Sequence, residues 1–252
     1  MKKTIIALLA ASGLACAATY TPLDSADGWT SGSNHSDRHT AYPAPTIENG
    51  SYSWSTNWGQ GYSSYNFSEA ITLEAGTEST LSLQYTLTTG NTNDGVMTLA
   101  LIGGNGTDTV VSGMSYRSPL RYAVTDATTT NGYTFGSEAN WGTVLSGTNL
   151  TASTAGNTSY TLNYDIAWNA EAGCFDLNVS LNGATAATIN LGSEDISFSG
   201  LTLTTDGGPQ GPSYASISNL VLTVEGATVP EPATATLSLL ALAGLAVRRR
   251  RR

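Results

Sequence analysis

From Ile71 onward apolar and polar residues alternate in short runs, and that period of two marks strands with one face turned to a core. Ile71 and Leu73 open the pattern, and Leu81, Leu83, Tyr85 and Leu87 resume it beyond a turn at Glu74-Ala75-Gly76-Thr77. Val96, Thr98, Ala100 and Ile102 then lead into Gly103-Gly104-Asn105-Gly106, and Thr107 to Met114 returns as the second arm of a hairpin. The clearest unit spans Tyr160 to Leu191. Tyr160, Leu162, Tyr164, Ile166 and Trp168 alternate, residues 169–173 turn, and Phe175, Leu177, Val179 and Leu181 alternate back. Asn182-Gly183 starts a tight turn into Ala186–Leu191, because Asn and Gly tolerate the positive φ such hairpins need. Ile196–Thr204 and Ile217–Val224 supply two more strands. The stretch 116–160 is less periodic, with strands expected near Arg121–Thr125, Tyr133 and Trp141–Leu150, and residues 20–66 read as loops with short strands. Apart from the termini there is no amphipathic helix and no repeat of fixed period. Ten or more short strands with frequent turns predict an all-β fold, a two-sheet β-sandwich rather than a small barrel.

The two ends break this pattern. Lys2 and Lys3 precede an apolar stretch from Ile5 to Leu14 and the small-residue run Ala15-Cys16-Ala17-Ala18, the layout of a secretory signal peptide helix. Ala15 and Ala17 occupy the small positions before the cut, which places cleavage after Ala17 and the signal at residues 1–17. Lipidation of Cys16 is the competing reading, although Gly13 and Leu14 stand out of place for it. At the other end Pro230-Glu231-Pro232 is followed by an apolar run from Ala233 to Val247 and five arginines, Arg248, Arg249, Arg250, Arg251 and Arg252. As a short hydrophobic helix that run measures about 22 Å, less than a hydrocarbon core of roughly 30 Å, so it suits a temporary stop better than a permanent span. The arginines resist crossing and should stay in the cytoplasm, with everything before Val229 outside.

Pro-Glu-Pro, hydrophobic segment and arginine cluster together resemble the PEP-CTERM sorting signal, here residues 229–252. The resemblance implies processing near Pro230-Glu231-Pro232 by an exosortase, a transpeptidase-like membrane enzyme, then delivery to the cell envelope or exopolysaccharide matrix. A linker followed by a permanent anchor is the plainer alternative. Residues 18–228 are left as a single body with a loop-rich start, reached through the secretion machinery.

That body has an unusual charge. All nineteen acids lie between Asp24 and Glu231, where only Arg38, Arg117 and Arg121 are basic; three cations against nineteen acids give −16, against −9 for the whole chain. Phosphate binding needs clustered Lys or Arg, so a nucleic-acid partner is excluded. With Cys16 removed only Cys174 remains, so no intramolecular disulfide forms even in an oxidising compartment, and stability must come from packing.

The strand Tyr160-Thr161-Leu162-Asn163-Tyr164-Asp165, the run Leu177-Asn178-Val179-Ser180-Leu181-Asn182-Gly183 and the closing Ile217-Ser218-Asn219-Leu220-Val221-Leu222 are similar to the strand pattern of concanavalin A-like, laminin-G-like jelly rolls. The resemblance implies a jelly-roll body over roughly Ile71 to Val224. Its family includes lectins, glycan-binding modules and some glycoside hydrolases, so the fold does not assign chemistry.

Candidate sites are few. A retaining glycosidase needs two carboxyl groups roughly 5 Å apart, met on one strand by acids at i and i+2, and the Glu-x-Asp-x-x-Glu pattern of jelly-roll hydrolases is absent. Glu194-Asp195 would point to opposite faces and reads as a turn. His35 and His39 lack the intervening glutamate and third ligand of a zinc site, and no Gly-x-Ser-x-Gly elbow marks a serine nucleophile. Asp94, in Asn91-Thr92-Asn93-Asp94-Gly95, and Asp206, in Thr205-Asp206-Gly207-Gly208, offer turn oxygens to calcium but are equally ordinary turn residues. No other cofactor is expected. Sugar recognition would use exposed aromatic rings beside amides and hydroxyls, the composition of Tyr52, Trp54, Trp58, Gln60, Tyr62 and Tyr65. Of these Tyr52, Trp54, Trp58 and Tyr62 are the candidate glycan-binding set, with packing as the alternative. The expectation is an exported, non-catalytic envelope or matrix protein, with a lectin-like polysaccharide-binding module as the second reading and a glycoside hydrolase as the third.

Overall fold

The computed structural model describes residues 17–34, 46–56, 59–89, 96–114, 120–125, 143–144, 158–207 and 213–226. These form fifteen strands: β1 (Ala18–Tyr20), β2 (Trp29–Asn34), β3 (Thr46–Glu48), β4 (Ser51–Thr56), β5 (Gly59–Leu73), β6 (Thr80–Thr89), β7 (Val96–Gly104), β8 (Thr109–Met114), β9 (Leu120–Thr125), β10 (Thr143–Val144), β11 (Thr158–Asn169), β12 (Cys174–Leu181), β13 (Ala184–Gly192), β14 (Ile196–Gly207) and β15 (Ser213–Glu225). One sheet runs β13-β12-β11-β6-β15-β4-β3, with β1 also on β15; the other runs β10-β9-β8-β7-β14-β5-β2. Every pairing is antiparallel, and the two sheets face each other as a jelly-roll sandwich, as the strand pattern predicted. We call them the β6 sheet and the β14 sheet.

Alternation explains the core. Leu81, Leu83, Tyr85 and Leu87 of β6 stand beside Ile166, Tyr164 and Leu162 of β11, and all are buried against Leu99, Leu201 and Leu203 of the other sheet. Burying one such side chain fully contributes roughly 1.5–3 kcal/mol, and the whole core of buried residues takes the place of a disulfide, Cys174 being free. Two phenols cross the sandwich: Tyr85 Oη lies 2.8 Å from Ser112 Oγ, and Tyr52 Oη donates to the Leu203 carbonyl at 3.4 Å. The Tyr85 and Tyr164 rings are nearly parallel, with centroids 6.3 Å apart.

The expected turns at 74–77, 105–106, 169–173 and 182–183 are all present. Asn105-Gly106 and Asn182-Gly183 both hold two successive positive φ angles, which a type I′ hairpin requires. The 74–77 turn does not close a hairpin: β5 belongs to one sheet and β6 to the other, so this turn carries the chain across the sandwich. Residues 59–66 also differ from the expectation of loops with short strands, since they form the first half of the fifteen-residue β5. Their Gly and Ser content hid a strand whose pairing with β14 and β2 supplies what propensity does not. Among the described residues there is no helix to cross a membrane.

Candidate functional site

The aromatic segment 52–65 does not form one surface. Tyr52 is fully buried between the sheets, where burial raises its phenol above the ordinary value and neighbouring hydroxyls of Thr205 and Ser63 oppose the shift; it is a core residue and not part of a glycan surface. Trp54 continues β4 opposite Ala215, and Trp58 lies outside the described residues. Tyr65 faces inward with Trp29 and Phe67, centroid distances 5.3 and 6.2 Å, and Tyr20 joins Phe67 at 6.1 Å. These rings close the edge of the sandwich where β2 and β1 end their sheets, and Trp29 Nε1 donates to the Pro22 carbonyl at 2.6 Å.

Tyr62 differs. It lies on the outer face of the β14 sheet, its phenol over Gly32 of β2, where an added Cβ would fall 2.6 Å from the hydroxyl. The same row continues through Thr204, Thr98, Gly113 and Arg121 on β14, β7, β8 and β9. Thr98 and Thr204 are buried, and Thr204 Oγ1 has no hydrogen-bond partner, a condition that costs about 1–3 kcal/mol. The adjoining row adds Ser64 and Thr202, their hydroxyls 3.4 Å apart. An aromatic ring, a guanidinium and several hydroxyls therefore share one face.

The outer face of the β6 sheet carries a second polar array, which is the other half of the alternation in β11 and β12. Ser82 donates to Asn163 Oδ1 at 3.2 Å, Asn163 Nδ2 to Asp165 at 2.6 Å, and Thr188 to Asn178 Oδ1 at 2.7 Å. Asn169 Nδ2 donates to Asp176 at 2.7 Å, and Asn190 Nδ2 reaches Cys174 Sγ at 3.0 Å. Asp165 and Asp176 stand one diagonal step apart on this face, but each is held by an asparagine amide. The Cys174 thiol is pushed up by burial and then by the Asp176 carboxylate, so the reactive thiolate is disfavoured.

The remaining sequence candidates separate. Asp206 lies within β14, its backbone opposite Gln60 and Val96, rather than in a turn, while Asp94 is outside the described residues. Among the described residues no three acids, histidines or cysteines group as metal ligands. Asp195 has a structural partner, accepting the Ala75 amide at 2.8 Å and so holding the 74–77 crossover. Ala17 is the first described residue and directly precedes β1; Ala15, Cys16, His35, His39, Pro230, Glu231, Pro232 and Arg248–Arg252 lie outside the description.

Residues 228–252 match the PEP-CTERM protein-sorting motif. The chain carries this sorting signal. It is accordingly an exported protein, held at the membrane by its C-terminus before processing. No curated protein matches the chain in sequence. The body is similar in fold to the carbohydrate recognition domain of Emp47p, at 10% identity and TM-score 0.50 over 79% of this chain and 89% of that one. Weaker likenesses include an endo-1,3-beta-glucanase from Streptomyces sioyaensis (11% identity, TM-score 0.47, 72% and 78% covered) and a Lotus tetragonolobus seed lectin (9%, 0.43, 86% and 100%).

Proposed function

We propose that the protein is a non-catalytic component of the cell envelope or extracellular matrix, delivered there when an exosortase cuts the chain near Pro230-Glu231-Pro232. The sorting motif at 228–252 carries this reading. The acidic, lysine-free composition of the body supports it, since such a surface stays soluble and avoids anionic polymers. Fractionating cells that express the full chain, with and without residues 229–252, tests the reading. The intact chain should reach the surface or matrix in a shortened form and pass through the membrane fraction. Retention of the full-length chain in the membrane at steady state would instead mean a permanent anchor.

The row on the outer face of the β14 sheet favours a second reading, a polysaccharide-binding module. Tyr62, half-exposed on that face, offers the ring, while Thr98 and Thr204 in the same row are fully buried and out of a ligand's reach. The Emp47p domain is named for carbohydrate recognition, which is consistent with this reading. A glycan array probed with the mature chain, with and without calcium, should show binding that Tyr62→Ala weakens at least tenfold in a variant that still melts cooperatively. Binding unaffected by Tyr62→Ala, Trp54→Ala and Trp58→Ala would remove the aromatic site.

A further inference from the structure

The mature N-terminus and the root of the sorting tail lie side by side. β1 pairs with the last turn-free residues of β15, Ala18 opposite Val224 and Tyr20 opposite Leu222, and the described chain ends at Gly226 just beyond. Strand register then fixes everything else at this end of the sandwich. Glu225 faces Thr80 at the start of β6, Thr80 faces Ala167 near the end of β11, Phe175 faces Gly192 at the end of β13, and Ile196 faces Leu73 at the end of β5. The turns 74–79, 105–108, 170–173 and 193–195 therefore share one pole with Ala18 and Gly226.

We propose that this pole is the membrane-facing surface of the protein during export, the body standing on these four turns above the lipid headgroups. This rests on the tail acting as a membrane anchor and deepens the envelope reading. The tether is short: seven residues from Gly226 to Ala233 span at most about 25 Å when extended. The opposite pole is farther by the length of a strand, roughly 37 Å for β11. A tether shorter than the body is tall cannot let the far pole turn to the membrane without wrapping the chain around the sandwich side.

Charge is compatible with standing, not binding. Glu74, Glu78, Asp108, Glu171, Glu194 and Glu225 are all exposed at this pole, and no Lys or Arg accompanies them among the described residues. Their repulsion from anionic lipid decays over about 8 Å at physiological salt, well inside the tether's reach. The body therefore rests clear of the headgroups. Once the tail is cut, this pole holds nothing at the membrane.

The test uses the full chain, purified from membranes of an exporting host without the sorting enzyme and reconstituted in vesicles of phosphatidylcholine and phosphatidylglycerol carrying a headgroup nitroxide. With Cys16 and Cys174 replaced by serine, a dye is placed at Glu171→Cys on the tail pole or at Thr185→Cys on the far pole. Quenching at position 171 should exceed that at 185 by at least twofold. Equal or reversed quenching in chains that float with the vesicles overturns the orientation while leaving the anchor intact; chains that fail to float remove the anchor reading and the orientation with it.

Discussion

Raising the pH should unfold this protein through three phenols. Tyr52, Tyr85 and Tyr164 are 0%, 0% and 1% exposed, and each has its pKa raised above the ordinary tyrosine value, first by burial and for Tyr164 next by the charge of Tyr85. The unfolded chain loses these protons at about pH 10 while the folded chain keeps them to higher pH. Stability from this source is therefore complete below pH 10 and falls above it, until the folded phenols themselves titrate. Each group contributes a slope of about 1.4 kcal/mol per pH unit, so three give roughly 4 kcal/mol per unit. Half-buried Tyr20, also raised, adds a smaller share. Against a typical 5–15 kcal/mol for a domain, unfolding within about one to four units above pH 10 follows. The readout is clean because the body has no lysine, the only two, Lys2 and Lys3, lying before Ala18. Urea melts followed by tryptophan fluorescence from pH 8 to 11.5, with phenolate absorbance in parallel, measure the slope. Tyr85→Phe should lower it by about a third and cost about 1 kcal/mol at neutral pH, since Ser112 loses its 2.8 Å partner. A stability that stays flat to pH 11, or full phenolate titration near pH 10 in a native fold, would refute the burial argument.

Gly113→Ala should destabilise by more than about 3 kcal/mol, because its Cβ would stand 2.0 Å from the Met97 carbonyl oxygen at a φ of +142°; a thermal melt of the purified variant decides this. Asn182→Ala should cost about 1–2 kcal/mol, combining a φ of +49° with loss of the 2.9 Å bond from the Thr161 amide to Asn182 Oδ1, as read by urea midpoint. Glu231→Ala should leave the urea midpoint of the body unchanged yet enrich the uncut precursor in the membrane fraction severalfold; normal processing in this variant would separate cleavage from the Pro-Glu-Pro glutamate.

How far the sequence reached depended on whether the signal was local. The β11–β12–β13 meander was legible because alternation and Asn-Gly turns are properties of neighbouring residues. The sorting tail was legible for the same reason, since a motif, an apolar run and a basic cluster need no fold to be recognised. β5 was not, because a Gly- and Ser-rich strand is stabilised by its partners β14 and β2 rather than by its own residues. Tyr52 and Tyr62 show the limit within one segment. Both alternate with small polar residues ten positions apart, but β4 and β5 enter opposite sheets, so one ring is sealed in the core and the other lies outside over Gly32. The sequence by itself determined the all-β class, the C-terminal sorting signal and the acidity, each of which follows from composition or short-range pattern. Only the tertiary structure decided which aromatics are available, that Thr204 shares a face with Tyr62 and Arg121, and that Ala18 and Gly226 meet at one pole, because those relations are made by strand register between residues far apart in the chain.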